Sequence, residues 1–275
     1  MLSDTNTDAS THTPAGAIPR TQPYRSDKAF LSAVEPDYAL INYTDARRLL
    51  KRGETADSWF PDRTQVITTT TVRDEELNLI TWERELERVL EFEPDWHIPT
   101  DYSTYEDQNE EERITATLDC MEGLLWMQRQ LREHGSETQI IPLVKGTTEL
   151  ERQACYNVFD EAGFDDLCAY YCTQYFTSGN GIQIDELVED VRALAREQDR
   201  DIFLIGLLSA NYLGRMPAQV TAAAGQNAWR KPIAPTTTED EEIKRQWDEI
   251  VEEVEAALDS EPETDETAVI ATEEA

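Results

Sequence analysis

Short apolar runs alternate along this chain with longer amphipathic ones, and each apolar run stops at polar residues. The strand candidates are Pro36–Tyr43, Thr64–Thr71, Pro94–Tyr102, Thr138–Gly146, Asp165–Thr173, Asp201–Ser209 and a short Gly225–Arg230. Between them, helical periodicity runs over Asp45–Arg52, Glu75–Phe92, Glu110–His134, Thr147–Ala162, Ile184–Gln198 and Asn211–Ala224. Alternation of strand and helix implies parallel strands joined by crossovers, an α/β fold. Seven strands fit a (β/α) TIM-type barrel that is complete or short by one unit. A doubly wound open sheet is the alternative, but no Gly-rich phosphate loop follows the first strand candidate, which weighs against a dinucleotide-binding version. Both architectures bind ligands at the carboxyl ends of their strands. That places Asp45, Asp101, Lys145, Gln174, Ser209 and Asn227 where chemistry is expected.

The flanks differ in character. Residues 1–25 are rich in Thr, Ser, Ala and Pro and read as a disordered segment. The barrel domain is assigned to 26–234. A linker and C-terminal helix follow at 235–259, with Ile243, Trp247, Ile250, Val251, Val254 and Leu258 on one stripe that should pack back on the core. The remainder, 260–275, reads as a disordered acidic tail.

Charge bounds the environment. Of 275 residues, 57 are acidic and 24 basic, for a net charge of −33, and lysine occurs only at positions 28, 51, 145, 231 and 244. Acid spread along the whole chain, with so little lysine, suggests molar salt, as in haloarchaea and their viruses, where screening acts over roughly 3 Å. In such salt the counterion-release advantage for phosphate is nearly gone. Acidity therefore does not exclude a nucleic-acid substrate, provided that shape, stacking and hydrogen bonds do the recognising. No apolar run approaches bilayer length, and the first residues lack the basic and apolar regions of a secretion signal, so a cytoplasmic protein without a membrane partner is expected. Four cysteines in a cytosolic chain of this size do not suggest a disulfide framework. Three histidines cannot make a His-rich metal site, and no cofactor or metal is implied.

Among individual residues, Asp101 ends the strand PDWHIPTDY, where a carboxylate can accept from a base's N–H groups or act as nucleophile or general base. Asp45, in NYTDARR, is placed to cap the helix beginning at Ala46. His97 reads as a satisfied interior histidine, and Cys168 and Cys172 as buried structural thiols. Lys145 could form a Schiff base or hold a phosphate. Tyr170, Tyr171, Tyr175 and Phe176 could stack on a base, though core and rim packing is the commoner role of such a cluster. Arg47, Arg48, Lys51 and Arg52 make the densest basic cluster in the chain.

Residues 95–231 resemble the tRNA-guanine transglycosylase superfamily, and more nearly its DNA-directed branch, which places 7-deazaguanine bases in DNA. The likeness is carried by PDWHIPTDYS, by IIPLVKGTTELERQACYNVFDEAGF, by DIFLIGLLSANYLGRMPAQVTAAAGQNAW and by the spacing of the YFTSGNGI loop. It implies base exchange on DNA, with tRNA second. A carboxylate attacks C1′, guanine departs, and a deazapurine re-attacks. Asp101 would then recognise the base, with Asp45 as the second carboxylate. Lys145, Gly146, Gln174, Gly206, Ser209 and Asn227 would line the substrate site, and Arg47, Arg48, Lys51 and Arg52 would meet phosphates. Asn227 stands where the family's G-x-D motif has its nucleophile, VITTTTV holds no acid, and the C-x-C-x-x-C zinc motif is absent. Two alternatives stay open: an inactive relative that binds nucleic acid or a partner protein, and a Schiff-base lyase using Lys145. A homodimer or a partner subunit is compatible with either.

Overall fold

The structure, a computed structural model, describes residues 13–72, 74–104, 108–176 and 183–260. In chain order the elements are β1 (Gly16–Thr21), α1 (Arg25–Val34), β2 (Tyr38–Asn42), α2 (Tyr43–Leu50), α3 (Ala56–Trp59), β3 (Gln65–Thr69), α4 (Asp74–Leu77), α5 (Trp82–Phe92), β4 (Trp96–Ile98), α6 (Glu110–Glu133), β5 (Gln139–Ile140), α7 (Glu149–Ala162), β6 (Leu167–Tyr171), α8 (Ile184–Glu197), β7 (Asp201–Ile205), α9 (Ala210–Leu213), β8 (Val220–Gly225), α10 (Asn227–Arg230) and α11 (Asp240–Leu258). A 3-10 turn covers Thr173–Phe176.

All strand pairs are parallel, in the order β5-β4-β3-β2-β1-β8-β7-β6. The two outer strands of that order meet. Leu143, just past β5, bridges Ala169 of β6, with Val144 N donating to Ala169 O at 2.9 Å and Ala169 N to Pro142 O at 2.8 Å. This is a TIM-type α/β barrel whose β5–β6 seam is a single bridge. Side chains alternate as the pleat requires. Ile18, Leu40, Ile67, Ile98, Leu143, Ala169, Phe203 and Ala224, one from each strand or its extension, belong to a single buried interior cluster. Their neighbours Ala39, Ile41, Val66, Cys168, Leu204 and Ala223 belong to the outer layer beneath the helices.

Local chemistry explains the helices. Asn42, Thr81, Asn109 and Thr148 accept from backbone N–H groups at the starts of α2, α5, α6 and α7, and Thr148 with Glu151 completes the capping box that TTELE announces. Gly163, in the left-handed region at φ 77°, ends α7. The C-terminal helix packs back against α1, α9 and β1 as its stripe requires, and Trp247 meets Phe30 edge-on at 5.3 Å. No described helix is long and apolar enough to cross a membrane.

Four sequence expectations are corrected. The segment read as disordered contains β1, which lies between β2 and β8; Pro14, Pro19 and small residues hid it, since proline removes a ladder donor. The stretch assigned to a helix over Asn211–Ala224 holds only the end of the short α9, and its Ala-rich end, from Val220, is β8. Alanine is the best helix former, but here Ala222 lies beside Phe203 and Ala224 beside Ile18 and Ile205, where a crowded interior needs small side chains. Gly225–Arg230, expected as a strand, is instead the end of β8 and the helical turn α10. The expected strand Thr138–Gly146 is also cut short, because Pro142 cannot donate to the ladder. Residues 1–12 and 261–275, which cover most of the expected disordered ends, lie outside the described residues.

Burial of Ile18 generates a test. Ile18→Ala should lower unfolding free energy by about 2–5 kcal/mol, measured by denaturant titration in molar KCl. A loss under about 0.5 kcal/mol, usual for a surface site, would mean that β1 is not an inner strand.

Candidate functional site

Thr100 is the residue that aims the site. It adopts φ 49°, a left-handed conformation that a β-branched residue rarely takes and that costs of order 1–3 kcal/mol. The surroundings hold it there. Glu85, reaching from α5, accepts from Thr100 N at 2.8 Å and from Thr100 Oγ1 at 3.4 Å. The same carboxylate meets His97 Nε2 at 2.9 Å, and His97 Nδ1 meets Thr68 Oγ1 at 2.8 Å. Cys120 of α6 donates its thiol to the Thr100 carbonyl. Burial pushes that thiol's pKa well up, so it stays protonated as a donor. Gly123 completes the cradle: a Cβ there would stand 2.3 Å from Thr100 Cγ2.

The clamp delivers Asp101 to the carboxyl end of β4. Its N–H donates to Thr70 Oγ1 at 3.1 Å, and its Oδ1 accepts from Lys145 Nζ at 2.7 Å. The two side chains are 6% and 11% exposed. Burial pulls the Lys145 pKa down, but the charge and hydrogen bond of Asp101 outweigh it and the net shift is upward. Lys145 is held as an ammonium ion, the opposite of what amine attack on a carbonyl needs.

Asp101 opens onto a cleft of about 520 Å³ between the α4–α5 region and the segment after β4. Trp82 and Tyr102 supply aromatic surface there, joined by a 3.1 Å hydrogen bond from Trp82 Nε1 to Tyr102 Oη. Asn78, Gln108, Thr81 and Ser103 add polar groups, and besides Asp101 the lining holds two carboxylates, Glu83 and the Glu85 that holds Thr100. No lysine, arginine or histidine is among the lining residues. A volume of this size with a planar aromatic edge, amides and a fixed carboxylate suits a heterocycle that presents N–H donors.

No family model matches the chain, and no curated protein matches it. The functional reading therefore stands on this geometry and on the sequence resemblance.

Other predicted residues lie elsewhere on the carboxyl face. Asp45 is not the cap of α2; Asn42 Oδ1 accepts from Asp45 N at 2.8 Å. The Asp45 carboxylate is 1% exposed, meets Arg48 at 2.6 Å and Gln22 Nε2 at 3.5 Å, and is not part of the cleft lining. Gly146, at φ 107°, lets the chain pass Glu151, where a Cβ would approach to 2.5 Å. Gly206, also at φ 107°, does the same against Thr173. Gln174 lies in the 3-10 turn after β6, and Ser209 at the start of α9. Asn227 is exposed, at the start of α10 rather than at a strand end. Arg47, Arg48, Lys51 and Arg52 are exposed on and after α2; Arg52 donates to Pro23 O at 2.9 Å and Arg48 is held by Asp45. Of the tyrosines, Tyr170 and Tyr175 bond each other at 2.8 Å, and Tyr175 bonds Asp190, so they are core groups. Residues 177–182 of the YFTSGNGI loop lie outside the described residues.

Two measurements follow. Gly→Ala in a helix ordinarily gains up to about 1 kcal/mol, but Gly123→Ala should lose about 1–3 kcal/mol by displacing Thr100, seen as a lower Tm; a gain would mean that Thr100 is not clamped. The buried thiols Cys155 and Cys168 are pushed up to about 12 by burial, from an ordinary 9.0. The folded state keeps those protons while the unfolded state loses them, so stability should be flat below pH 9 and fall as pH rises towards 12. The slope is up to about 1.4 kcal/mol per pH unit for each thiol. Urea titrations across that range should give a shallower fall for Cys168→Ala.

Proposed function

We propose that this protein is a base-exchange transglycosylase that replaces guanine in a nucleic acid, DNA before tRNA, by a purine or 7-deazapurine base. The observation that carries the reading is Asp101: a carboxylate fixed by a strained, clamped backbone and open to a cleft roomy enough for a nucleobase, with Trp82 and Tyr102 beside it. In this role Asp101 accepts from the N–H edge of the base, and its ion pair with Lys145 at 2.7 Å holds the carboxylate in place. Exchange also needs a carboxylate that attacks C1′ and leaves again. Glu83, which lines the same cleft, is better placed for this than the enclosed Asp45. The steps balance without a cofactor: the carboxylate–C1′ bond forms as the guanine N–C1′ bond breaks, the departing nitrogen keeping the bonding pair and taking up a proton, and the incoming base reverses this, giving up a proton from its ring nitrogen.

A second reading, an inactive relative that binds nucleic acid or a partner protein, is favoured by Asn227, which is exposed and cannot act as a nucleophile. A lyase role for Lys145 is disfavoured by its salt bridge to Asp101.

Labelled guanine or 7-deazaguanine, offered with DNA and with tRNA in molar KCl, tests the proposal. Label should enter one polymer and be lost with Asp101→Ala. Glu83→Gln should slow entry by about 10²-fold or more. Folded protein that labels neither polymer would sink base exchange and leave the binding reading.

A further inference from the structure

Each buried carboxylate among the described residues meets a basic side chain: Asp27 with Arg230, Asp45 with Arg48, Glu85 with His97, Asp101 with Lys145, and Glu151 with Arg113. Arg20 has no such answer. It pairs in register with Leu40 and stands two residues beyond Ile18, both members of the barrel interior, so it shares their inward face near the carboxyl end of β1. Arg20 is half-buried, yet its side chain makes no hydrogen bond, ion pair or ring contact among the described residues. Other unpartnered cations, such as Arg25, Arg47 and Lys51, are exposed to solvent.

Holding a guanidinium partly out of water without a counter-charge is costly. In a chain with 57 acidic residues, a compensating carboxylate is not scarce. We propose that Arg20 receives an oxyanion of the substrate at the barrel mouth, namely the phosphodiester next to the base held in the cleft. A planar fork of N–H donors matches two phosphate oxygens and works at contact distance, so it survives molar salt better than long-range attraction does. The cleft lining holds no cation, so phosphate must be met elsewhere on this face. Assigning the oxyanion to a nucleic-acid strand rests on the base-exchange reading; the anion site does not.

The test follows the arginine side-chain Nε–H signals by NMR in the full chain at fixed KCl. The probes are inorganic phosphate, 2′-deoxyguanosine 5′-monophosphate, deoxyguanosine and acetate. Phosphate and the nucleotide should shift the Arg20 signal saturably, and deoxyguanosine and acetate should not. Arg20→Gln should weaken nucleotide binding by about 30-fold or more, while its Tm stays equal to or rises above that of the parent, because an uncompensated charge has been removed. A fall in Tm with nucleotide affinity unchanged would make Arg20 a structural residue and overturn the proposal. So would an Arg20 signal that answers none of the probes, or acetate as strongly as phosphate. Phosphate binding at Arg20 without base incorporation into either polymer would defeat base exchange and leave the anion site standing. Incorporation with a silent Arg20 would do the reverse.

Discussion

The barrel depends on the hydrogen bonding of β1 on both its edges. Gly16–Pro19 pair with Ala222–Gly225 of β8, and Arg20 and Thr21 pair with Leu40 and Ile41 of β2. Without that strand, β2 and β8 would expose unpaired edges, and the interior cluster would lose Ile18. With it, inward and outward parity is set for the whole ring, since a one-residue slip would send Ile18 to the helices and Ala17 to the interior. The same parity turns Arg20 inward, so one strand contributes both to the core and to the mouth.

Around Asp101 the molecule combines rigidity with an unfavourable local geometry. Thr100 is bent against its preference, and Glu85, Cys120 and Gly123, from two different helices, hold it there. Such an arrangement is unlike the rest of the carboxyl face, where left-handed positions such as Gly146 and Gly206 are taken by glycine at low cost. Stability is given up at one residue, and in return a carboxylate keeps its direction without help from a ligand. Lys145 then holds it in place with an ion pair.

Much of this was legible in the sequence. The alternation of apolar runs announced parallel strands and a barrel, TTELE announced the start of α7, and the terminal position of Asp101 in PDWHIPTDY announced a carboxylate at the mouth. The interior reading of His97 also agrees with its burial between Thr68 and Glu85. What failed had physical causes. PAGAIPRT carries two prolines and little bulk, so its place in the sheet comes from neighbours on both sides and not from its own propensity. TAAAG has the composition of a helix, and only crowding by Phe203 and Ile18 makes alanine right for a strand. Glu85 lies in a helix crowded with acids, WERELERVLEF, and nothing local separates the one that turns inward from those that face water. Glu83 was hidden in the same way, and Arg20 because its strand was.

The closure of the ring has a further consequence. The barrel's first and last strands are zipped together over four register positions, whereas β5 and β6, adjacent in the chain, share one bridge at Leu143 and Ala169. Covalent order and mechanical order are therefore out of step. A barrel of this kind is fastened where its sequence begins and ends the ring, and its line of least resistance runs through the middle of the chain, beside the lysine that holds Asp101.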